Sequence, residues 1–364
     1  STANNEIFVT GGARGAIAGI KDGVKLAPGT TLSVNKPGDP NHVVLKNGTK
    51  ESTLKVDGTK VTGKDVNLES LTVKANGQSA DVDLTGNVGK LSMDGASNVT
   101  LNTTGGTLKV ASLDVAKTSL KGTANVEAAT ANLEGAKLNG TQLKADTVTV
   151  DAATTFDKDA KVTATTVKVD NASAAAVAKL IENKTIAPAG EKLNVNTSAV
   201  TDATLKAKLS ALSNVAATDV KSSYTPADFA GGKLTLDGKP YTGKDLAAGI
   251  TEAFKKGAER ITLDTDTVQK MTSQDIAIPA DKTLSLIDGT DQAVVKTAKD
   301  TVVELKDGKV NAKSGALASI TYNATPVPGD DKTINADLSK LETVGDVTVT
   351  SGIVNLGEKV TAKR

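Results

Sequence analysis

The sequence predicts a mainly β protein, built either as an elongated β-solenoid or as tandem β-sandwich-like modules, with a few short helices. The first observation behind this prediction is the composition. The 364 residues include no Cys, no Trp and one His, and only 2% are aromatic, although 38% are hydrophobic. Thick globular cores usually contain aromatic side chains, because each of them buries a large area. A core made of Val, Leu, Ile and Ala is therefore expected to be thin.

The second observation is an internal repeat. LKVDGTKVTGKD at 54–65 returns as LTLDGKPYTGKD at 234–245, with seven of the twelve positions identical, and a shorter form, LKDGKV, occurs at 305–310. An Asp-Gly pair between alternating apolar residues predicts a hairpin, because Gly adopts positive φ readily and the Asp side chain bonds its own backbone.

The third observation is a strand, a Pro turn and a second strand, which occur together three times. The copies are VKLAPGTTLSV at 24–34, TIAPAGEKLNV at 185–195 and IAIPADKTLSL at 276–286. In the middle copy the interval to the following Asp-Gly turn is longer, and the extra residues include a segment with helical spacing at 201–214. This pattern predicts a tandem duplication with insertions.

Between the repeats, short strands follow one another through residues 80–170. They are VDL at 82–84, LSM at 91–93, LKV at 108–110, VEA at 126–128, VTV at 148–150 and VKV at 167–169. From LSM onward the starts are 17, 18, 22 and 19 residues apart. Such an interval matches one turn of a β-solenoid. Antiparallel sandwiches more often show a strand about every 8–12 residues, and short strands at 99–101 and 113–115 leave that alternative open.

Helices are expected at 172–183, 201–214 and 245–256, with Gly257 ending the last one before a strand at 261–265. An apolar strand is expected at 6–10, paired with a sheet edge of its own body or of a neighbouring copy. These elements together predict four modules: an N-terminal β module at 1–66, a β ladder or solenoid at 67–171, a second repeat copy with a helical insertion at 172–246 and a third β module at 247–364.

The series of helix, Gly, strand and IPADKTLSL at 245–286 resembles the repeats of bacterial cell-surface proteins, including surface-layer and adhesin β-helices. The resemblance covers about a third of the chain. It implies a scaffold on the cell surface and, as in many surface-layer proteins, calcium in assembly. No catalytic residue follows from it. Wall-anchoring signatures of such families do not occur in the sequence, so contact with a cell-wall polymer is expected through an anchor outside this segment.

The charge balance bears on the class of partner. Lys+Arg number 43 and Asp+Glu 42, and the only arginines are Arg14, Arg260 and Arg364. Nucleic-acid-binding proteins normally carry a net basic patch with Arg and stacking aromatics, so nucleic acid is not expected as a partner. No run of 18 apolar residues occurs, so no membrane span is expected either. The expected partner is another copy of the chain.

Carboxylates are the side chains left for site chemistry. The lone His42 is expected in a loop without a function, and familiar zinc sites are excluded because they need Cys or several His. Asp264 and Asp266 stand at i and i+2, so a strand would place both on one face, and Asp288 and Asp291 flank a Gly-containing turn. Because calcium takes oxygen ligands, these four are candidate calcium ligands. The alternative is an acidic face in solvent, balanced by Lys.

The sequence therefore predicts an extracellular structural protein that assembles with itself into a surface layer or a similar coat, and no enzymatic activity. One alternative is an adhesin stalk or fibre segment that displays a binding tip. Another is a β-helical enzyme acting on polysaccharides, since such enzymes also use clustered carboxylates. Sugar-processing clefts normally add aromatic platforms and Arg or His, which this chain nearly lacks.

Overall fold

The computed structural model describes residues 6–10, 13–14, 22–36, 39–75, 77–94, 98–157, 159–272, 274–306, 308–324 and 336–357. The protein is mainly β, as predicted. It divides into two compact units, Ser1–Ala217 and Thr218–Arg364, and each is described by itself. The four predicted modules stay a prediction. Within the described residues no helix is long and apolar enough to cross a membrane.

The first unit contains nineteen of the described strands and two α-helices. The strands are β1 (Glu6–Thr10), β2 (Ala13–Arg14), β3 (Val24–Leu26), β4 (Thr31–Lys36), β5 (Asp39–Asn47), β6 (Ser52–Asp57), β7 (Lys60–Lys74), β8 (Ser79–Asp94), β9 (Asn98–Asn102), β10 (Leu108–Asp114), β11 (Ser119–Lys121), β12 (Asn125–Asn132), β13 (Lys137–Asn139), β14 (Gln142–Thr149), β15 (Thr155–Phe156), β16 (Lys161–Asp170), β17 (Ile186–Pro188), β18 (Leu193–Ala199) and β19 (Val215–Thr218). The helices are α1 (Ala174–Glu182) and α2 (Ala203–Ser210).

From β7 onward the strands of the first unit pair in parallel. We call each successive strand of a ladder, with its partner strand in the other ladder, a layer. One ladder runs through β8, β10, β12, β14 and β16, and a second runs through β8, β9, β11, β13 and β15. The long strand β8 belongs to both ladders, because its first half pairs with β9 and its second half with β10. All six strands predicted between residues 80 and 170 are present, and VDL and LSM lie in the single strand β8.

The core of this unit is thin and aliphatic, as the composition predicts. Inward positions of successive layers stand in register: Leu108 pairs with Val126, Val126 with Leu143, and Leu143 with Val162. Each of the four side chains is buried. The alternation of buried and exposed residues along each strand lets every layer cover the apolar side chains of the layer before it.

The two ends of the parallel ladders have different coverings. At the N-terminal end β5 and β6 pair antiparallel with β7, and β6 forms the predicted hairpin with β7 through Gly58. The predicted N-terminal strand is β1, which pairs antiparallel with β4 of its own chain. At the other end α1 buries Val177, Ala178 and Ile181 in the core.

The second unit combines two larger sheets, a hairpin and two α-helices. Its strands are β20 (Ser223–Tyr224), β21 (Lys233–Leu236), β22 (Lys239–Thr242), β23 (Arg260–Asp264), β24 (Asp275–Ile278), β25 (Thr283–Asp288), β26 (Asp291–Thr297), β27 (Thr301–Lys306), β28 (Lys309–Ser314), β29 (Ala316–Asn323), β30 (Ala336–Asp337), β31 (Thr343–Ser351) and β32 (Val354–Asn355). The α-helices are α3 (Leu246–Lys255) and α4 (Thr265–Met271), and short 3₁₀ segments lie at Pro226–Gly232 and Gly243–Asp245.

One sheet of the second unit has the order β20-β23-β25-β26-β29-β31, and the other has the order β24-β27-β28-β30-β32. The Pro turn at 276–286 joins β24 of one sheet to β25 of the other. The Asp-Gly repeats form hairpins here as well, between β21 and β22 and between β27 and β28. The three predicted helices are confirmed as α1, α2 and α3, and Gly257 follows α3 with a positive φ of 120°.

Candidate functional site

The predicted pair Asp264 and Asp266 does not share a strand face, so that prediction is wrong. Strand β23 ends at Asp264, whose carboxylate accepts a hydrogen bond from the N–H of Thr267 at 2.8 Å and caps α4. Asp266 lies exposed in the first turn of that helix. An Asp at this position satisfies an open N–H of the first turn, so the chain passes from strand to helix at Asp264.

Asp288 and Asp291 stand opposite each other at the ends of β25 and β26, across a tight turn that contains Gly289 with φ of 60°. Asp264 ends the neighbouring strand β23, where it pairs with Ile287. Three of the four predicted calcium ligands therefore lie near one end of the same sheet. Within the described part of the chain, however, no three His, Cys, Asp or Glu side chains are grouped so as to hold a metal ion. Calcium binding stays a prediction.

The expectation of a loop at His42 is wrong. The residue lies inside strand β5, opposite Asn35 of β4 and Lys74 of β7. The Pro and Gly residues of KPGDPNHVV at 36–44 are typical of a loop. The residues that follow alternate as a strand does, with Val43 and Leu45 buried, and the pairing of this strand extends back to Asp39.

A repeated Asp or Asn corner is the main structural feature that none of the predicted elements includes. In each case Oδ1 accepts the backbone N–H two residues later, which turns the chain after a strand. The first unit has this bond from Ala116 to Asp114 (3.1 Å), from Glu134 to Asn132 (3.1 Å), from Ala153 to Asp151 (3.0 Å) and from Ser198 to Asn196 (3.0 Å). The second unit has it from Ser339 to Asp337 (3.0 Å) and from Gly357 to Asn355 (3.2 Å). The signal in the sequence is an Asp or Asn after an alternating apolar run, at 114, 132 and 151.

The Asp151 carboxylate also joins two layers of the ladder. It accepts the N–H of Gly135 in the preceding layer at 2.9 Å and the hydroxyl of Thr154 at 3.1 Å. Thr154 in turn bonds the carbonyl oxygen of Leu133 at 2.8 Å. Burial alone raises the pKa of the Asp151 carboxyl, but the hydrogen bonds from Gly135, Thr154 and Ala153 outweigh burial and hold the pKa below its ordinary value. The charged form is therefore part of the folded corner.

The outward side chains of the parallel ladder form columns in register. One column consists of Lys109, Glu127, Lys144 and Thr163, each opposite the next in the adjoining layer. The three charged members are exposed. Neighbouring strands lie about 4.8 Å apart, so the column presents charges of alternating sign at that interval. We call it the charged column.

A shallow groove of about 420 Å³ lies where β6 and β7 meet β8. Lys55, Lys64 and Asp83 are among its lining residues. The Asp83 carboxylate is already engaged, because it accepts the N–H of Thr104 at 2.9 Å and the Thr104 hydroxyl at 2.6 Å. That bond ties two layers together in the same way as the Asp151 corner.

No family model matches this chain, and neither a curated protein nor a solved structure similar to it was found.

Proposed function

We propose that this chain is a structural subunit that associates with further copies of itself into a surface layer or similar coat outside the cell. The observation that carries the proposal is the parallel ladder of the first unit, which repeats one strand pattern and one outward column layer after layer. A surface with a regular period can meet a copy of itself through many equivalent contacts. The resemblance of 245–286 to surface-layer and adhesin repeats supports the same role.

In this proposal the ladders of the first unit are successive turns of a β-solenoid. The register supports it, since Leu108 pairs with Val126, 18 residues later, and Val126 with Leu143, 17 residues later. Intervals of this size return the chain to the same position in the next layer. The Asp and Asn corners would then mark where each turn of the solenoid changes direction.

The charged column offers a specific contact between copies. A second copy displaced by one layer sets its Glu127 against Lys109 or Lys144 of the first. Each exposed ion pair contributes only about 0–1 kcal/mol, so several columns and layers have to act together. Association of this kind weakens as salt screens the charges.

Negative-stain electron microscopy of the purified protein, with calcium and with a chelator, tests the proposed function. Two-dimensional sheets or regular filaments support it. If these assemblies disappear when the chelator is added, the assembly depends on calcium. Monodisperse rods that bind cells or glycans would overturn the proposed role as a coat subunit in favour of an adhesin stalk. Turnover of an acidic polysaccharide, lost in Asp264→Asn/Asp266→Asn, would overturn it in favour of an enzyme.

Charge exchange tests the charged column. The variant Lys109→Glu/Lys144→Glu carries only negative charges there, and Glu127→Lys only positive ones, so each alone should associate more weakly than the wild type. An equimolar mixture should recover association, because the two columns are then complementary. Sedimentation velocity at low and high salt measures this. Lys208→Glu on α2, an exposed lysine outside the column, is the control and should leave association unchanged.

A further inference from the structure

Within the described part of the chain, strand β31 forms the edge of a sheet. Among the described residues it pairs only with β29 and ends its six-stranded sheet. Proteins usually shorten edge strands or place Lys or Pro on them, because free N–H and C=O groups recruit other strands. The opposite edge, β20, is only two residues long, whereas β31 has nine residues, no Lys or Pro, and the single charge of Asp346.

Among the residues that the structure describes, none covers the core of the second unit fully at this edge. Val347 pairs with Ile320 and Val349 pairs with Tyr322, and both β29 residues are buried. Because residues two apart share a strand face, Val349 lies on the core-facing side with Val347. Val349 is nevertheless 42% exposed, the one large hydrophobic side chain so exposed among the described residues. An exposed apolar side chain therefore lies beside the position that a side chain of a next strand would occupy on the same face of the sheet.

The sequence of β31 suits pairing with an identical strand. In an antiparallel pair centred on Val349, Thr348 stands opposite Thr350 of the second copy, and Val347 stands opposite Ser351. The pair therefore includes the position at which the register of β31 against β29 shifts, between Val349 and Ser351. Val–Val and Thr–Thr neighbours across strands are favourable. The two Asp346 carboxylates would lie about six residues apart along the strands, about 20 Å, where salt screens their repulsion.

We infer that β31 pairs antiparallel with β31 of a second copy, which joins two second units about a two-fold axis. The contact is isologous, with the same patch used on both copies, and its centre is the Val349 pair. This inference rests on the proposed self-association and adds a contact that is independent of the charged column. The two contacts together would give each subunit two separate surfaces for association.

Disulfide trapping tests the inference. Because the chain has no native Cys, an introduced Cys can form a disulfide only with the same Cys of another copy. Val349→Cys should form a disulfide-linked dimer under mild oxidation, because directly opposed strand residues have Cβ atoms about 4.5–5.5 Å apart. The matched control is Val294→Cys on the interior strand β26, which should remain monomeric on a non-reducing gel. A Val349→Cys thiol that forms no dimer, or that resists a maleimide in the monomer, would overturn the inference, since the edge would then be covered by the chain itself.

Val349→Lys supplies a second test. A buried lysine at the centre of the pair should weaken dimerisation at least about tenfold, whereas Val294→Lys should leave it unchanged. If the wild type associates but Val349→Lys associates equally well, the strand pairing is overturned and the proposed function stands. If the wild type remains monomeric at every concentration, the proposed function itself fails. Circular dichroism checks that Val349→Lys is folded. If this variant does not fold, the disulfide trapping of Val349→Cys decides the inference.

Discussion

The Asp and Asn corners show how single side chains maintain the layers. Asp151 receives hydrogen bonds from its own turn and from Gly135 in the preceding layer. Asn132 pairs with Asp114 of the preceding layer, and each of the two accepts a hydrogen bond from the N–H two residues later. The carbonyl oxygen of an amide can therefore replace the carboxylate at this corner, and only the acid depends on pH.

Acid should weaken the first unit through Asp151. Its pKa is below the ordinary value in the folded protein, so the unfolded chain takes up the proton at the higher pH. Stability is thus fully present above the ordinary Asp pKa of about 4 and falls as pH decreases below it. Asp151→Asn keeps the acceptor and should lose less stability between pH 7 and pH 3, measured by urea midpoints. Lys208→Gln, changed on the exposed surface of α2, is the control and should behave as the wild type.

Two buried threonines provide a contrasting pair. Within the described residues the Thr141 hydroxyl has no hydrogen-bond partner, whereas the Thr154 hydroxyl bonds Leu133 and Asp151. An unpaired buried polar group is destabilising, and breaking a satisfied bond is as well. Thr141→Val should therefore stabilise the first unit by about 1 kcal/mol, and Thr154→Val should destabilise it by about 1–2 kcal/mol. Equal effects in urea unfolding would contradict this interpretation.

At the scale of elements, glycines shape a corner shared by consecutive layers. Gly122 has φ of 117°, and a Cβ there would stand 2.2 Å from the carbonyl oxygen of Leu101. Gly140, in the next layer, has φ of 82° and a Cβ would stand 2.9 Å from the carbonyl oxygen of Gly122. Both the backbone angle and the close stacking of layers require the missing side chain.

Alanine substitution separates these two requirements. Gly105 has φ of 79° but open space around the Cβ position, so Gly105→Ala should cost about 1 kcal/mol for backbone strain alone. Gly122→Ala adds overlap with the neighbouring layer and should cost about 2–4 kcal/mol. Denaturant unfolding measures both. A Gly122→Ala effect no larger than that of Gly105→Ala would mean that the layers can separate locally.

Local patterns predicted the elements better than their partners. The strands at 108–110 and 126–128 and the Asp-Gly hairpins follow from alternation and turn chemistry alone. Helix α4 was missed because LDTDT alternates like a strand, although Asp264 is also an N-cap residue. The pairing of Leu108 with Val126 depends on contacts between layers, which no local pattern contains. The same is true of the exposed edge at Val349, since its free side follows only from the order of the sheet.

At the scale of the whole molecule, the two units have separate cores of different composition. The buried core of the first unit is aliphatic, with Phe156 partly buried against it. The second unit buries Phe229, Phe254, Tyr224 and Tyr322. The thin core predicted from the composition therefore describes the first unit, and the scarce aromatics are concentrated in the second. Every tyrosine of the chain lies at or beyond residue 224, and there is no Trp.

This distribution makes tyrosine a reporter of one unit within the intact chain. Tyrosine emission and near-ultraviolet dichroism should follow the second unit, while far-ultraviolet dichroism follows both. Because the cores share no buried residue, we expect two transitions that do not coincide. Gly122→Ala should then move only the transition without a tyrosine signal. Ile261→Val, which removes one buried methyl and costs about 1 kcal/mol, should move only the tyrosine transition. If either substitution shifts both transitions together, the two units unfold as one cooperative body.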